Sequence, residues 1–364
     1  MSILASPGPG GAEMLVRNLS IELVGRGHVC RLLFMSHAAG VGNPPEFEAD
    51  FLARLKAAGI GFDVMPPNSF RNVFSAARQF RKAVKAFRPD VVHAHLGRGL
   101  LCRSLSGAGL PTVYTHHSVT ANFPPSLFRL FNRTVDQYVA VSAACHAFLQ
   151  RYARGPIVTI PNGVPADFSA GGPRETVSRP PLVLAVGSLR AAKDYPTLIQ
   201  AAALVAARAP AEVGEIRFAI VGEGVERPRL EQLIRDRGLS QTVELLGARG
   251  DVPALMQQAD LLVNSSAYEG MPVTLIEGTV SALPIVATAV GGNAEVVADG
   301  VTGFIVPPAD PAALADRILA VLTEPGRHAA FSRAARARSE AFGMAACADA
   351  HLDVYERARS ARRG

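Results

Sequence analysis

Two glutamates eight positions apart, Glu269 and Glu277, mark the stretch of this chain that is best suited to bind a polar ligand. The first lies in a glycine-containing turn, and the second lies in an apolar run that predicts a helix. Carboxylates accept hydrogen bonds from paired hydroxyls, and the free N–H groups at the start of a helix favour phosphate. The pair could therefore hold both ends of a nucleotide-sugar. Taken alone, the same spacing also fits a solvated helix face with a capping acid.

The segments on either side of the two glutamates favour a binding site. Residues 260–266 predict a buried strand followed by small polar residues, and residues 283–292 predict a second strand that ends in two glycines. Strand, loop, helix, strand and glycine turn together form one parallel βαβ unit. Because ligands bind at the carboxyl ends of such strands, we expect both carboxylates to face a ligand there.

Two further stretches are suited to phosphate. Arg190 and Lys193 follow a predicted strand and open a helix, so they could clamp a diphosphate; simple exposure to solvent is the alternative. Gly10 and Gly11 precede a helix, and glycines let backbone N–H groups approach a ligand closely. Neither stretch matches the P-loop pattern. The glycines at 221–224 lack the third member of a dinucleotide fingerprint, which argues against NAD.

Histidines end two predicted strands in the first half of the chain. His93 and His95 close one strand, and His116 and His117 close the next. The carboxyl ends of parallel strands meet at one edge of a sheet, so we expect these side chains to converge. Structural hydrogen bonding is the alternative for each of them, although for His117 we favour a functional role. No carboxylate or cysteine partner is evident nearby, so we predict no metal site.

Both halves of the chain alternate short apolar runs with helical patterns, which predicts an α/β fold with parallel sheets. The predicted strands lie at 29–35, 91–94, 112–115, 138–141 and 157–160, and then at 182–186, 217–221, 243–246, 261–264, 285–287 and 304–306. Residues 166–181 are rich in Pro, Gly and polar residues and predict a linker. We expect domains at 1–165 and 182–343 with a ligand cleft between them, and a helix at 344–364 that returns toward the first domain.

The composition fits a cytoplasmic protein with an anionic partner. At 364 residues and 49% hydrophobic, the chain is long enough for two substantial cores. Residues 1–165 hold 17 Lys and Arg against 8 Asp and Glu. The four cysteines lack a paired spacing, which fits thiols in a reducing compartment. No apolar run reaches the roughly 20 residues of a membrane span, and the N-terminus lacks the pattern of a secretion signal.

A basic helical pattern at 70–88 suggests one anionic partner. It carries apolar residues, among them Phe74, on one face, and Arg71, Arg78, Lys82 and Lys85 on the other. This basic face is either solvated or docks on the inner face of the cytoplasmic membrane, and both interpretations stay open. Trp is absent and aromatic residues do not interleave with the basic ones, which argues against nucleic acid.

Nine motifs occur in an order that resembles the retaining family 4 glycosyltransferases of the GT-B fold, also called glycosyl transferases group 1. The motifs are Gly-Gly-Ala-Glu at 10–13, Pro-Asp-Val-Val-His-Ala-His at 89–95, Thr-His-His at 115–117, Val-Ser at 141–142, Ile-Pro-Asn-Gly-Val at 160–164, Gly-x2-Arg-x2-Lys at 187–193, Val-Gly-Glu-Gly at 221–224, Glu-x7-Glu at 269–277 and Gly-Gly-Asn-Ala-Glu at 291–295. The resemblance implies two Rossmann-like domains that face each other across a cleft. The C-terminal domain would hold a nucleotide-diphosphate sugar and the N-terminal domain the acceptor.

The resemblance also implies roles for residues of the C-terminal half. Arg190 and Lys193 would bind the diphosphate and Glu277 the ribose. Glu269, with the amides of Gly270 and Met271, would bind the sugar hydroxyls. In the N-terminal half, the resemblance places Gly11 on the phosphate side of the donor, His117 beside the transferred sugar, and His93 and His95 on the acceptor side. Arg249 is a weaker candidate near the base. The catalytic residues would be His117, Glu269, Arg190 and Lys193.

The implied reaction is transfer of a sugar, with retention at the anomeric carbon, to a glycan or lipid-linked acceptor in cell-surface polysaccharide or lipopolysaccharide synthesis. The donor would be a nucleotide-diphosphate sugar, with a UDP-sugar favoured, and no cofactor or essential metal would be needed. A nucleotide-sugar-binding regulator without turnover and a sugar-nucleotide epimerase are the alternatives. The chain departs from the family pattern at Ser118, at Gly278 and at Ser281-Ala282.

Overall fold

The computed structural model describes residues 1–8, 10–41, 45–66, 72–121, 123–169, 171–211 and 213–362. These residues form two compact units. The first unit combines Met1–Gly163 with Met344–Gly364, and the second unit is Val164–Gly343. Each unit is a parallel sheet covered by helices, which confirms the predicted α/β class with two Rossmann-like halves.

The first unit contains seven strands and seven helices among its described residues. In chain order they are β1 (Ser2–Leu4), α1 (Gly11–Gly25), β2 (Arg31–Phe34), α2 (Pro45–Ala57), β3 (Gly61–Val64), α3 (Val73–Phe87), β4 (Val92–Ala94), α4 (Gly97–Leu105), β5 (Thr112–His116), α5 (Phe128–Phe131), β6 (Gln137–Ala140), α6 (Ala143–Tyr152), β7 (Ile157–Thr159) and, from the end of the chain, α14 (Met344–Ser360). The strands pair in parallel in the order β3-β2-β1-β4-β5-β6-β7.

The second unit contains six strands and seven helices among its described residues. In chain order they are β8 (Leu182–Val186), α7 (Tyr195–Arg208), β9 (Arg217–Val221), α8 (Arg227–Asp236), β10 (Val243–Gly247), α9 (Val252–Gln258), β11 (Leu261–Asn264), α10 (Val273–Val280), β12 (Ile285–Thr288), α11 (Asn293–Val296), β13 (Gly303–Val306), α12 (Pro311–Thr323) and α13 (Arg327–Arg338). Its strands pair in parallel in the order β10-β9-β8-β11-β12-β13.

Burial on both faces of each sheet explains why most strands could be predicted from apolar runs. In β8 and β11 every residue is at least partly buried, as expected for strands covered by helices on both sides. The helix α14 completes the first unit, because Met344, Cys347 and Val354 join Leu15 and Val113 in one buried apolar cluster. The end of the chain therefore packs on the N-terminal unit, as predicted.

The segment 166–181, predicted as a linker from its composition, lies within the second unit. The buried guanidinium of Arg174 donates to the carbonyl oxygens of Met256 (2.6 Å), Gln257 and Ser281 (2.7 Å). The backbone N–H of Ser178 donates to the buried carboxylate of Asp260, 2.7 Å away. These contacts satisfy carbonyls at the ends of α9 and α10. The segment is also held by the buried ring of Phe168 and by Val177, which packs against the core of the second unit.

Three local expectations need correction or fall outside the structure. Phe74, predicted on the apolar face of its helix, is 74% exposed, because α3 buries Ala76, Ala77, Phe80 and Val84 instead. The terminal helix predicted at 344–364 begins at Met344, as α14 does, but ends at Ser360. The strand β3 was not predicted, since it lies at the sheet edge and its residues are only half-buried. Arg71 lies outside the described residues.

Candidate functional site

The carboxyl end of the second sheet brings together the loops that carry the predicted donor residues. Strand order reverses between β8 and β11, which are neighbours although they are far apart in sequence. The helices that follow two such strands leave on opposite faces of the sheet, and the gap between the loops is the usual ligand position in this fold class. The loop after β8 carries Arg190 and Lys193, and the loop after β11 carries Glu269.

Lys193 and Glu269 form an ion pair at this position. The Nζ atom of Lys193 lies 2.5 Å from Oε1 of Glu269, and both side chains are mostly buried. Two neutral groups donate to the same oxygen: the Ser266 hydroxyl at 2.7 Å and the Asn264 amide at 3.3 Å. All hydrogen bonds found for this carboxylate among the described residues end on Oε1. Its Oε2 atom is therefore left to accept from a ligand.

A second set of polar contacts holds the donors to Glu269 in place. The fully buried amide of Asn293 donates to Oδ1 of Asn264 (3.2 Å) and to the carbonyl of Thr288 (2.9 Å). The Thr288 hydroxyl in turn donates to the carbonyl of Ser266 at 2.7 Å. These contacts join the loops after β11 and β12, so the position of the Glu269 carboxylate is determined by buried side chains on both strands.

Glycines let the loops at this edge approach one another. A Cβ atom at Gly291, where φ is +50°, would lie 1.8 Å from the carbonyl oxygen of Glu269. The neighbouring Gly292 donates its N–H to the carbonyl of Gly270 at 2.9 Å. On the other side, a Cβ at Gly222 would lie 1.9 Å from the carbonyl oxygen of Gly187. Any side chain at these positions would force the loops apart.

The remaining predicted donor residues lie on the same elements with different degrees of contact. Glu277 is half-buried on α10, and Met271 is buried just before that helix. Arg190 is exposed and lines a cavity of about 220 Å³ with Asp194, Glu226 and Arg229. The structure thus brings Lys193 and Glu269 into contact but gives Arg190 separate surroundings.

Arg249 lies in the loop after β10 and is paired within that loop. Its guanidinium donates to both oxygens of Asp251 at 2.8 Å and 2.6 Å, and both side chains are exposed. This hydrogen bonding raises the pKa of Arg249 and lowers the pKa of Asp251. The guanidinium predicted to lie near the base is therefore already engaged by a carboxylate of its own loop.

Two departures from the family pattern have a structural reason. A Cβ atom at Gly278 would lie 2.4 Å from Cδ2 of Leu262, so the glycine allows α10 to pack against β11. The buried hydroxyl of Ser281 donates to the carbonyl of Phe168 at 3.0 Å. Ala282 has a φ of +56°, a left-handed conformation that a family glycine would adopt more easily. These positions support the helix that carries Glu277 rather than a ligand.

In the first unit, the predicted phosphate turn lies before α1. Gly11 is the exposed first residue of this helix, and no side chain caps the helix start. The carboxylate of Glu13 folds back so closely that a Cβ atom at Gly10 would lie 2.2 Å from its Oε2 atom. Burial raises the pKa of Glu13. The Glu13 carboxylate therefore lies against the helix start, where it accepts a hydrogen bond from its own backbone N–H.

Histidines converge at the carboxyl ends of β4 and β5, and α14 adds one more. The Nδ1 atom of His95 lies 3.1 Å from Nε2 of His117. The rings of His93 and His95 lie in contact with centroids 3.9 Å apart and planes tilted by 39°, and the ring of His351 lies 5.6 Å from that of His93. Both nitrogens of His93 are already engaged, one by Tyr355 at 2.8 Å and one by Thr115 at 2.7 Å. His93 thus anchors α14 to the sheet.

These histidines are neutral at pH 7 because burial disfavours the charged imidazolium. Burial, followed by the smaller effects of neighbouring His116 and His351, lowers the pKa of His117 to about 3. Burial also lowers the pKa of His351 to about 4 and places those of His93 and His95 well below the ordinary value. His117 is half-buried, so it can still meet a ligand.

Sequence reasoning missed the residues that position Glu269. These residues are Asn264, Ser266 and Asn293, which follow two predicted strands. Polar residues at that position in the sequence are the signal that could have identified them. Among the described residues, no group of three or more His, Cys, Asp or Glu side chains is arranged to hold a metal ion. Within the same residues, no helix combines the length and apolar character needed to cross a bilayer.

Two family models match the chain one after the other. The Glycosyltransferase Family 4 model matches residues 9–168, and the Glycosyl transferases group 1 model matches residues 173–338. The chain therefore belongs to the family 4 glycosyltransferases of the GT-B class, and it is a glycosyltransferase.

Particular relatives extend over almost the whole chain. An alpha-D-kanosaminyltransferase of Streptomyces kanamyceticus is 27% identical and covers 94% of this chain and 98% of its own length. A D-inositol 3-phosphate glycosyltransferase of Kineococcus radiotolerans is 26% identical, and the match covers 100% of this chain and 95% of that protein. The crystal structure of Anabaena HepE in complex with UDP-glucose is similar with a TM-score of 0.80 at 23% identity, covering 97% of this chain and 98% of that one. The last likeness shows the fold.

Proposed function

We propose that the protein transfers a sugar, with retention at the anomeric carbon, from a UDP-sugar to a glycan or lipid-linked acceptor. The setting would be the synthesis of a cell-surface polysaccharide or lipopolysaccharide, and no metal would be essential. The observation that carries the proposal is the Lys193–Glu269 ion pair at the switch point of the second sheet. A UDP donor is also supported by the UDP-glucose complex of the similar protein HepE.

The second unit would act as the donor domain. In the complex, Lys193 and Arg190 would bind the diphosphate. The Oε2 atom of Glu269 would accept hydrogen bonds from the sugar hydroxyls, and the amides of Gly270 and Met271 would donate hydrogen bonds to them. Glu277 would bind the ribose, and the backbone near Arg249 would lie beside the base. The paired oxygen Oε1 holds the carboxylate in position before the donor arrives, which favours binding because less ordering is needed.

The first unit would act as the acceptor domain. His117 would lie beside the transferred sugar, and the N–H groups near Gly11 would approach the diphosphate. The acceptor hydroxyl would form its bond to the anomeric carbon on the face from which the diphosphate leaves, and its proton would pass to the departing phosphate oxygen. The fixed cations would stabilise the negative charge that develops on the diphosphate.

Titration calorimetry tests the donor site directly. We expect wild-type protein to bind UDP-glucose or another member of a nucleotide-sugar panel, and Lys193→Met to weaken that binding roughly 10- to 100-fold through loss of a charge-assisted hydrogen bond. Arg208→Met removes a surface cation of the same unit and serves as the matched control. Wild-type affinity in Lys193→Met would overturn the assignment.

An assay of the products distinguishes the alternatives. A transferase releases UDP and gains a glycosylated acceptor, and the anomeric configuration of the product reports retention. A regulator would bind the donor without releasing UDP. An epimerase would convert the donor with no acceptor present. Activity that survives exhaustive treatment with a chelator is expected, and its loss would contradict metal independence.

The basic face of α3 would attach the protein to an anionic membrane surface. Arg78, Lys82 and Lys85 are exposed there, next to the exposed ring of Phe74. Each basic residue near such a surface contributes about 1 kcal/mol. Flotation with vesicles that contain anionic lipid tests this: neutralising the three cations should release the protein. Neutralising Arg54, Lys56 and Arg151, which are exposed elsewhere on the same unit, should not.

A further inference from the structure

The hydrogen bond between His95 and His117 raises the question of which ring carries the shared proton. The bond joins Nδ1 of His95 to Nε2 of His117 at 3.1 Å. His95 is only 7% exposed, and its other nitrogen, Nε2, is buried without a partner among the described residues. The Nδ1 atom of His117 takes part in no hydrogen bond recorded for the described residues and is not fully buried.

Each neutral imidazole carries one proton, so only two arrangements are available. If His117 donates from Nε2, then His95 accepts at Nδ1 and must carry its own proton on Nε2, where a buried N–H group finds no acceptor. If His95 donates from Nδ1, its buried Nε2 is only an unused lone pair. An orphaned buried N–H is costly and rare, whereas an unused lone pair is tolerated better. The second arrangement is therefore favoured.

The surroundings keep both rings in the neutral form that this choice requires. The groups that act on them are other imidazoles and the distant amino terminus: the ring of His93 contacts that of His95, His116 precedes His117 in the chain, and His351 faces the cluster from α14. None of these groups favours an added proton on His95 or His117. His351 is itself oriented by a hydrogen bond from Nδ1 to the carbonyl of Cys347 at 2.8 Å.

We propose that His95 is a positioning residue that fixes His117 as the neutral tautomer with its proton on Nδ1. His117 then presents an N–H donor, not a lone pair, at its accessible nitrogen. The ligand group that it would meet is an oxygen of the transferred sugar, and this part rests on the proposed function. His117 would act by orienting and polarising that oxygen, and it would not act as a base.

Nitrogen-15 NMR of histidine-labelled protein tests the inference, because two-bond correlations distinguish the two tautomers of each ring. In the wild-type protein we expect His117 to be protonated on Nδ1, with the exposed His28 as an internal reference for an unconstrained ring. In His95→Leu, which removes the donor, we expect His117 to shift toward the tautomer protonated on Nε2. His95→Asn places an amide N–H near the former Nδ1 position and should restore the wild-type tautomer.

Each outcome decides the matter. Protonation of wild-type His117 on Nε2 would overturn the inference, even if His95→Leu failed to fold. An unchanged tautomer in a folded His95→Leu would overturn the role of His95. The spectrum needs no turnover, so it is separable from the proposed function: an Nδ1-protonated His117 in a protein without transferase activity would refute only the latter. In an active enzyme, we expect kcat of His95→Leu to fall at least tenfold and His95→Asn to recover most of it.

Discussion

The two units share one strand order but differ in the side chains that lie at the carboxyl ends of their strands: those of the second unit are charged, and those of the first are neutral. Both sheets run 3-2-1-4-5-6 in local order, with a seventh strand added to the first, and both collect polar residues at the carboxyl ends of central strands. The second unit keeps a charged pair there, Lys193 and Glu269, whereas the first unit keeps a cluster of neutral histidines. The fold thus determines where a site lies, and the side chains determine which chemistry it performs.

The difference follows from the partners that each buried group finds. In the second unit, an ammonium, a hydroxyl and an amide all donate to one oxygen of the Glu269 carboxylate. The histidines find other imidazoles, a tyrosine and a threonine, so nothing offsets the loss of water around an imidazolium. A charged pair suits a diphosphate and its sugar, and a neutral cluster suits hydroxyl groups.

Acid should unfold the first unit well before the second, and this is the largest effect expected. A histidine whose pKa is lowered in the folded state contributes stability that is present above pH 6.5 and is lost as the pH falls toward its folded pKa. His116, His117 and His351, with folded pKa values of about 4, 3 and 4, each contribute up to about 1.4 kcal/mol per pH unit. Together with His93 and His95, they should lower the free energy of unfolding of the first unit by several kcal/mol between pH 6.5 and pH 4.

Calorimetry with hydrogen exchange can assign that loss to one unit. The second unit serves as the control, since His328 is the one histidine among its described residues whose pKa burial lowers. We expect amides of β4, β5 and α14 to lose protection near pH 5 while those of β8 and β11 keep it. Equal loss in both units would show that the histidine cluster is not the cause.

Neutralising Glu269 without changing its shape should have the next largest effect. In Glu269→Gln the amide cannot balance Lys193 and accepts more weakly from a sugar hydroxyl, so we expect kcat/KM to fall about 10²- to 10³-fold. Glu215→Gln, at an exposed position in the same unit, should leave it unchanged. A thermal melt checks that both variants stay folded, and wild-type kinetics in Glu269→Gln would remove the carboxylate from the proposed site.

Much of this comparison could be predicted from the sequence. The strands β8, β9 and β11 were predicted with the bounds that the structure has, because strands buried on both faces are continuous apolar runs. The positions of Lys193 and Glu269 at one sheet edge followed from the alternation of strands and helices. The edge strand β3 was not predicted, because Gly61 and Asp63 interrupt its apolar pattern.

Contacts between distant side chains could not be predicted in the same way. His93 and Tyr355 are 262 positions apart and meet because α14 returns to the first sheet. Asn264 and Asn293 meet because two loops approach each other through glycines, a geometry that no local pattern encodes. The exposure of Phe74 depended on which face of α3 packs, and two overlapping apolar faces were consistent with its sequence.

Substitution of Gly291 should disrupt the loop that carries Glu269, and it should do so more than substitution of a comparable glycine elsewhere. Gly291 and Gly300 both have a positive φ, but a Cβ atom at Gly291 meets the Glu269 carbonyl, whereas one at Gly300 meets nothing within 4 Å. We expect Gly300→Ala to cost about 1 kcal/mol of unfolding free energy from backbone strain and Gly291→Ala about 3 kcal/mol. Denaturant titration measures both, and equal costs would show that the loop has room to move.

The smallest effect is expected where α14 is tied to the histidine cluster. Tyr355→Phe removes the hydroxyl that lies 2.8 Å from Nδ1 of His93 and keeps the ring, so it should cost about 1 kcal/mol of unfolding free energy. Tyr152→Phe, in the same unit, is the control. If the first unit depends on a connected neutral network, Tyr355→Phe should also lower the hydrogen-exchange protection of β4 and α14 while leaving β11 unchanged. A loss confined to α14 would mean that the helix is attached independently, and the contrast between the units would then rest on the histidines of the sheet alone.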